Sequence, residues 1–373
     1  MKRFLCIIIA LMLLAGCSAA PADKKSEVME EDTRAEVDSK PAVDEDSISG
    51  EKGFIIGDEV RVRQGDDAKT EVVATLDAGK EVKILKKSES KAVVGRYEDY
   101  WYNIEFDGKK GWCFGEFISS ETELKDRLKT RFDNFIKSGE SGVKDSAGIL
   151  LKFAKMGADK AMLDDGVRKI MKLQADTMEK YDSVLADSTV LQEYRVEELN
   201  DPRGVDDINL KKQLMQIKEN GYNIYWTEGM FYIEPDPSFY LDKFETYLSE
   251  QLVEFLKLEK VEVKAHFGAD GGLLISWDEL SDRIAGWDRY IAKYPDAPET
   301  AKAKDEYYRR YMYIYLTGTD NSGLYDPETQ MLKDDVRKSY ERYMEKYKDT
   351  EGYKAIKDFY EALKKNDFKR IPQ

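Results

Sequence analysis

The sequence predicts a multidomain protein in which a small all-β barrel precedes a larger, mostly α-helical domain. Between Gly53 and Ser120, short segments alternate apolar and polar residues and are separated by glycine-containing turns, which is typical of antiparallel strands. After Ser120, apolar residues recur at helical spacing almost to the end of the chain. The expected domains are therefore residues 53–120 and 121–373, and position 220 is a candidate for a further boundary within the second.

The first residues predict export. Lys2 and Arg3 precede an apolar run from Phe4 to Leu14, and small residues follow, which is typical of a secretory signal peptide. The run is about half of the roughly 20 residues that a membrane-spanning helix needs, which disfavours a permanent span.

The segment Leu14-Ala15-Gly16-Cys17 resembles the bacterial lipobox, whose cysteine receives diacylglycerol and becomes the new N-terminus. The resemblance implies a signal peptide over residues 1–16, lipidation of Cys17 and attachment to a membrane of the cell envelope. Ser18 follows instead of the aspartate that signals inner-membrane retention in many double-membraned bacteria, which favours the outer membrane where one exists. The alternative is ordinary secretory cleavage near residues 19–21.

Residues 17–52 are expected to form a disordered acidic tether, because they contain almost no aromatics and many acids, as in Glu30-Glu31-Asp32. The whole chain carries a net charge of −15. Nucleic acid is therefore not an expected partner, since its phosphates would be repelled.

Few residues could support catalysis by a nucleophile or a metal. His266 is the only histidine, which excludes HExxH zinc sites and centres built on several histidines. If Cys6 leaves with the signal and Cys17 carries lipid, Cys113 has no disulfide partner and is expected to be a small core residue. No cofactor, metal site or catalytic residue is predicted, and the loop from Asp320 to Asp326 is expected to form turns instead of a calcium site.

The barrel strands are predicted at Val60–Arg63, Val72–Leu76, Glu81–Leu85 and Trp101–Phe106. Three motifs in this order, VRVRQG from Val60, VVATLDAGKEVKIL from Val72 and WYNIEFDGKKGWCFGEFI from Trp101, resemble the bacterial SH3 domain. Arg61, Asp66-Asp67 and Cys113 depart from the family pattern. The resemblance implies an SH3-like barrel that binds a cell-wall peptide or peptidoglycan.

Aromatic residues near the end of this segment are the candidate ligand-binding residues, because SH3-type barrels bind peptides in aromatic-lined grooves. The candidates are Tyr97, Tyr100, Trp101, Trp112 and Phe114. Strand alternation assigns residues 102, 104 and 106 to the core and residues 101 and 103 to the other face, so Trp101 is the leading surface candidate. The alternative is that all of these aromatics only pack in the core or at its rim.

The helical domain is expected to consist of packed helical hairpins with one short β-hairpin over Tyr222–Ile233. Ser276 and residues 296–299 carry helix-start signals. The segments beginning at Asp288 and Glu341 resemble each other at an offset of 53 residues and are weakly similar to tetratricopeptide hairpins, whose period of about 34 residues is absent.

Five tyrosines between Tyr307 and Tyr315 are too closely spaced for one helical face, so some are expected to face solvent or a protein partner. The favoured function is a non-enzymatic lipoprotein that binds cell wall through its barrel and an envelope protein through its helices. The alternatives are a carboxylate-based envelope hydrolase and a purely protein-protein scaffold.

Overall fold

The computed structural model describes residues 50–139, 142–181, 184–185 and 188–371. The predicted signal peptide, Cys17 and all but the last residues of the predicted tether lie outside the described residues. In the described part of the chain, no helix is both long and apolar enough to cross a membrane.

The β domain is a seven-stranded antiparallel sheet in the order β3-β2-β8-β7-β4-β1-β9, with a separate two-stranded hairpin, β5-β6. Its strands are β1 Glu51–Ile55, β2 Val60–Arg63, β3 Val72–Leu76, β4 Glu81–Lys87, β5 Ala92–Val94, β6 Tyr97–Asp99, β7 Trp101–Phe106, β8 Lys109–Phe114 and β9 Ile118–Ser120. The four predicted strands are confirmed, and three of them have the predicted bounds. A 3-10 turn, Gly115–Phe117, connects β8 to β9.

The sheet encloses a core of alternating apolar residues, in which Val62, Ile84, Ile104 and Cys113 are almost fully buried. The expectation that Cys113 is a small core residue is therefore confirmed. Strand β1 begins at Glu51 and pairs with β4, so the predicted tether, which ran to Lys52, overlaps the sheet by two residues.

The helical domain contains short and long helices together with two further β-hairpins. Its helices are α1 Leu124–Lys137, α2 Val143–Lys155, α3 Lys160–Thr177, α4 Ser188–Leu191, α5 Val196–Asn200, α6 Ile208–Glu219, α7 Ser238–Phe244, α8 Glu250–Lys264, α9 Trp277–Lys293, α10 Thr300–Lys302, α11 Arg309–Thr317, α12 Asp334–Lys346 and α13 Gly352–Lys365. A π-helical segment, Ala303–Tyr308, joins α10 to α11. The hairpins are β10 Tyr222–Thr227 with β11 Met230–Pro235, and β12 Gly268–Ala269 with β13 Gly272–Leu273.

The predicted hairpin over residues 222–233 is confirmed, and Thr227 and Met230 flank its Glu228-Gly229 turn. Gly229 has a φ of +81°, which favours glycine because it lacks a Cβ. The inner side of this hairpin packs on α5 and α6 in a core distinct from that of the other helices.

Of the two predicted helix starts, the one at Ser276 is confirmed and the one at Asp296 is wrong. The Ser276 side chain accepts a hydrogen bond from the Glu279 amide and caps α9, as expected. Asp296 does not cap the next helix, because α10 begins at Thr300 after Glu299. The Glu299 carboxylate instead pairs with Arg168 on α3, with an Nε–Oε1 distance of 2.6 Å.

The two similar segments occupy equivalent places in the fold. Tyr294 ends α9 and Tyr347 ends α12, and each backbone amide bonds to the carbonyl four residues earlier. Asp288 on α9 also accepts a hydrogen bond from the Gly352 amide at the start of α13, at 2.8 Å. Asp288 in the first segment therefore contacts the start of the helix that follows the second segment.

The closely spaced tyrosines divide as expected. Tyr311 and Tyr315 are buried, Tyr307 and Tyr308 are half-buried, and Tyr313 is 68% exposed. At least one tyrosine of this run therefore faces solvent.

The β domain contacts α1 and α2 directly. Arg127 donates to the Gly115 carbonyl at 2.8 Å, and Arg131 pairs with Glu116 at 3.3 Å. Lys152 forms an ion pair with Asp58, and the Ile56 side chain belongs to the helical core. These contacts mean that the barrel should be tested within the whole chain.

Candidate functional site

A transverse row of polar and aromatic side chains crosses the outer face of the β domain. Strand pairing aligns Arg63 with Trp112, Trp112 with Asn103, and Asn103 with Lys86. Directly paired residues on neighbouring strands project to the same side of a sheet. The four residues, hereafter the Trp112 row, therefore span strands β2, β8, β7 and β4.

The two cations at the ends of the row are held by different contacts. The Lys86 ammonium lies 5.1 Å from the centre of the Trp112 ring, within cation–π range. The Arg63 guanidinium donates to the Thr70 carbonyl through Nη1 at 2.6 Å. Arg63, Asn103 and Trp112 are half-buried, and Lys86 is exposed. The row thus combines an accessible aromatic surface with cationic and amide hydrogen-bond donors.

Two local features shape this face. The register of β4 against β7 shifts between Ile84 and Lys86, as in a β-bulge, so Lys86 is the residue that faces Asn103. Next to Trp112, a Cβ at Gly111 would lie 2.5 Å from Cγ1 of Val62 and 3.0 Å from the Arg63 carbonyl. Glycine is therefore required at this position, where β8 lies close beside β2.

The expectation that Trp101 is a surface residue is wrong, since its side chain is only 2% exposed. Its face was predicted correctly, because Trp101 lies on the same side of β7 as Asn103 and opposite Ile104. The end of that face is covered, however. Trp101 packs edge-on against Phe114 with ring centres 5.3 Å apart, and Phe114 contacts Phe117 at 6.4 Å. Phe114 is also buried.

Tyr97 and Tyr100 lie apart from the Trp112 row, at the end of the sheet that carries the β5-β6 hairpin. Both are half-buried. Tyr97 packs against Phe117, with ring centres 6.2 Å apart. The Lys87 ammonium lies 4.4 Å from the centre of the Tyr100 ring. The five predicted aromatics therefore occupy three settings, and only Trp112, Tyr97 and Tyr100 are accessible to a ligand.

The β domain is slightly acidic, in nearly the same proportion as the chain as a whole. Residues 51–120 carry 12 lysines and arginines against 14 acids, and the whole chain carries 59 against 74. The two cations of the Trp112 row are therefore a local feature of this face and do not reflect an overall positive charge of the domain.

Residues 58–119 match the family model of the bacterial SH3 domain. The matched range begins just before β2 and ends within β9, so it includes all four members of the Trp112 row. No curated protein and no solved structure matches the chain. The family assignment therefore covers the β domain and leaves the helical domain unassigned.

Cys113 lies inside the SH3 domain with no exposed surface, and its burial raises the pKa of the thiol to about 12. A buried, protonated thiol is a poor nucleophile. His266 belongs to the helical domain, where Nε2 lies 3.0 and 3.1 Å from the two carboxylate oxygens of Glu234. The hydrogen bond to Glu234 raises the pKa of His266, and its ring packs on Tyr225 at 4.4 Å.

The loop after α11 bends at residues 320–322, and a turn follows just beyond Asp326, at residues 327–329. Thr319 and Ser322 exchange hydrogen bonds, and the Ser322 hydroxyl accepts from the Leu273 amide at 2.9 Å. Among the described residues, no group of three or more histidine, cysteine, aspartate or glutamate side chains is arranged to hold a metal ion.

Sequence reasoning identified Trp112 but missed Arg63, Asn103 and Lys86. Their polar character gave no signal, because exposed lysines and arginines occur throughout the barrel. Only the strand register, including the shift after Ile84, places them beside Trp112.

Proposed function

We propose that this protein is a non-enzymatic lipoprotein of the cell envelope and that its SH3 domain binds cell-wall peptide through the Trp112 row. The observation that carries the proposal is the row itself: an accessible indole between two cations on the outer face of a domain that matches the bacterial SH3 family.

The chemistry of the row suits a short anionic peptide. The Trp112 ring offers apolar surface for side chains or sugar rings, and a tryptophan loses little conformational freedom on binding. Arg63 and Lys86 can form charge-assisted hydrogen bonds with carboxylates. Asn103 can donate and accept between them, which suits a peptide backbone.

Binding to purified peptidoglycan tests this proposal. The whole secreted chain without its lipid is sedimented with insoluble wall polymer, and Trp112→Ala is compared with Trp226→Ala. Trp226 lies in the β10-β11 hairpin, is 53% exposed and therefore serves as a matched control outside the SH3 domain. We expect Trp112→Ala to lose binding and Trp226→Ala to retain it.

Loss of binding by Trp112→Ala could also result from misfolding, so a second pair of variants tests the row by changing exposed charges only. Lys86→Glu reverses an exposed charge of the row, and Lys212→Glu reverses an exposed charge on α6. Equal co-sedimentation of all four variants with the wild type, or no co-sedimentation of the wild type, would contradict the proposal.

The helical domain is proposed to bind a protein partner of the envelope, since Tyr313 presents an exposed aromatic ring on α11. Cross-linking through a photoreactive residue at position 313 tests this in cells. We expect the residue at position 313 to cross-link to one defined protein. As a control, the same photoreactive residue is placed at the exposed position 338. If position 313 gives only a mixture of products no more abundant than those from position 338, the proposal is wrong.

The membrane anchor is proposed from the lipobox resemblance at Cys17. Cys17→Ala should move the protein from the membrane fraction to the soluble envelope fraction, because two or three acyl chains anchor durably and none remains. If Cys17→Ala still fractionates with membranes, the anchoring proposal is wrong. For the wild-type protein, separation of inner and outer membranes tests the expected outer-membrane location.

A further inference from the structure

Two β-hairpins of the helical domain lie against each other. The outer side of β10-β11 carries Tyr225, Tyr232 and Glu234, which alternate along the strands with residues buried in the hairpin core. Residues 266–270, which include β12, contact this outer side. The contact between these two parts of the chain is hereafter the hairpin seam.

Among the described residues, two hydrogen-bonded contacts cross the seam. Nε2 of His266 lies 3.0 and 3.1 Å from the two carboxylate oxygens of Glu234. The Asp270 amide donates to Oε1 of Glu228 at 3.4 Å, which is longer than a typical hydrogen bond. The His266 ring also packs on Tyr225, with ring centres 4.4 Å apart. The contact between His266 and Glu234 is therefore the stronger of the two polar contacts.

Each side of the seam is also held by contacts of its own. The β10-β11 hairpin belongs to a core that, in the described part of the chain, shares no buried residue with the main helical core. At the base of this hairpin, Gln174 of α3 donates to the Gly221 carbonyl at 2.6 Å. On the other side, Phe267 packs on Tyr311 of α11, with ring centres 5.0 Å apart. The seam can therefore open while both hairpins stay attached to the rest of the protein.

His266 is the only histidine of the chain, and histidine is the side chain whose ordinary pKa lies between about pH 5 and 8. The charged and titratable groups that face it are Glu234 on β11, Tyr225 on β10, Glu262 on α8 and Arg283 on α9. The hydrogen bond to Glu234 raises the pKa of His266, and burial and the charge of Arg283 oppose this effect only in part. The charge of Glu262 also raises the pKa, although Glu262 pairs with Arg283 at 2.6 Å.

The protonation state of His266 determines the strength of its contact with Glu234. A protonated ring forms a charge-assisted hydrogen bond with the carboxylate, which is roughly twice as strong as a neutral one. A neutral ring carries a proton on only one of its two nitrogens. Nε2 then either donates a weaker, neutral hydrogen bond or turns a lone pair toward the Glu234 oxygens.

We propose that the contact between His266 and Glu234 is a pH-sensitive switch, which keeps the hairpin seam closed at mildly acidic pH and allows it to open as the ring loses its proton. An open seam exposes the stacked rings of Tyr225 and Tyr232, whose centres lie 5.4 Å apart and which are half-buried when the seam is closed. This switch is independent of the SH3 domain and of the proposed wall binding.

Hydrogen exchange of the whole secreted chain, followed by mass spectrometry of peptides from both hairpins, measures the opening of the seam. The rates are corrected for the intrinsic pH dependence of amide exchange and compared with those of α12 and α13, which lie outside the seam. Because partly exposed ion pairs contribute little, we expect the seam amides to exchange about two- to fivefold faster at about pH 8.5 than at about pH 5.5, relative to this reference. Equal corrected rates at both pH values would overturn the proposal.

Variants assign the pH dependence to this pair. His266→Gln cannot become charged, so the pH dependence of seam exchange should disappear. Glu228→Gln changes the other contact of the same seam at an exposed position and serves as the matched control, which should keep the pH dependence. If the pH dependence persists in His266→Gln, or is lost equally in Glu228→Gln, the proposal is wrong.

An NMR titration connects the opening to the proton on His266. Because the chain has one histidine, its Cε1 proton gives a single resonance whose titration reports the pKa. We expect the midpoint of seam opening to coincide with this pKa. In Glu234→Gln the pKa should fall and the pH dependence of exchange should be lost. A midpoint that differs from the pKa of His266, or an unchanged pKa in Glu234→Gln, would overturn the proposal.

Discussion

Replacement of Trp101 by alanine should destabilise the SH3 domain strongly, although the residue lies on the same face of the sheet as the Trp112 row. A tryptophan buries about 150–250 Å², which at about 25 cal/mol per Å² corresponds to roughly 4–6 kcal/mol. Measured tryptophan-to-alanine changes in cores cost about 3–5 kcal/mol, because the surroundings relax only partly. With 2% of Trp101 exposed, we expect the free energy of unfolding to fall by about 3–5 kcal/mol.

Trp101→Phe separates packing from hydrogen bonding. In the described part of the chain, the buried Nε1 of Trp101 has no hydrogen-bond partner. Phenylalanine removes this unpaired donor, whose burial alone costs about 1–3 kcal/mol, and keeps an aromatic ring against Phe114. The net loss should therefore be about 1 kcal/mol, and wall binding should persist.

Urea denaturation followed by circular dichroism of the whole secreted chain measures both variants. The loss should appear as a lower midpoint for the transition of the β domain. If Trp101→Ala unfolds at the wild-type urea concentration, or if Trp101→Phe keeps its stability but loses wall binding, Trp101 is a contact residue and its assignment to the core is wrong.

Three further predictions follow from single positions. Gly111→Ala should lower stability by about 1–3 kcal/mol in urea denaturation, because its Cβ would overlap Val62; an unchanged midpoint would contradict this close approach. In a chain lacking Cys6 and Cys17, Cys113 should react with a thiol reagent at about pH 8 only after denaturation, since its pKa of about 12 keeps it protonated; rapid reaction of the native chain would refute its burial. Because Glu234 raises the pKa of His266, their pairing stabilises the fold below about pH 6.5 and this contribution is lost as the pH rises through the raised pKa. The melting temperature of His266→Asn should therefore differ from that of the wild type more at about pH 5.5 than at about pH 8.5, and an equal difference at both values would exclude the linkage.

The barrel strands were predictable because alternation of apolar and polar residues is a local property of the chain. Val60–Arg63 and Trp101–Phe106 have the predicted bounds for this reason. The hairpin β5-β6 was missed, since it is only three residues long on each strand and its residues are not part of the main core.

Trp101 shows that strand alternation predicts the face of a residue but not its exposure. Alternation correctly assigned its face, but whether a face is exposed depends on what covers it. Here the cover comes from Phe114 and from the 3-10 turn with Phe117, which the pattern of β7 does not encode.

Tertiary contacts also decided two features of the helical domain. Local signals at Asp296 favoured a helix cap, but Glu299 is engaged by Arg168 from α3, and the helix begins after it. A small cavity between α3, β11, α7 and α8 could not be predicted either, because its lining residues come from separate parts of the chain that only the fold brings together.

The most direct test of the central claim is the affinity of the whole secreted chain for soluble wall peptides, measured by calorimetry for wild type, Trp112→Ala and Trp226→Ala. Buried aromatic anchors of interfaces contribute about 2 kcal/mol or more, so Trp112→Ala should weaken binding by about thirtyfold. Trp226→Ala should bind like the wild type. If the two alanine variants bind equally well, the Trp112 row is not the ligand site of this SH3 domain.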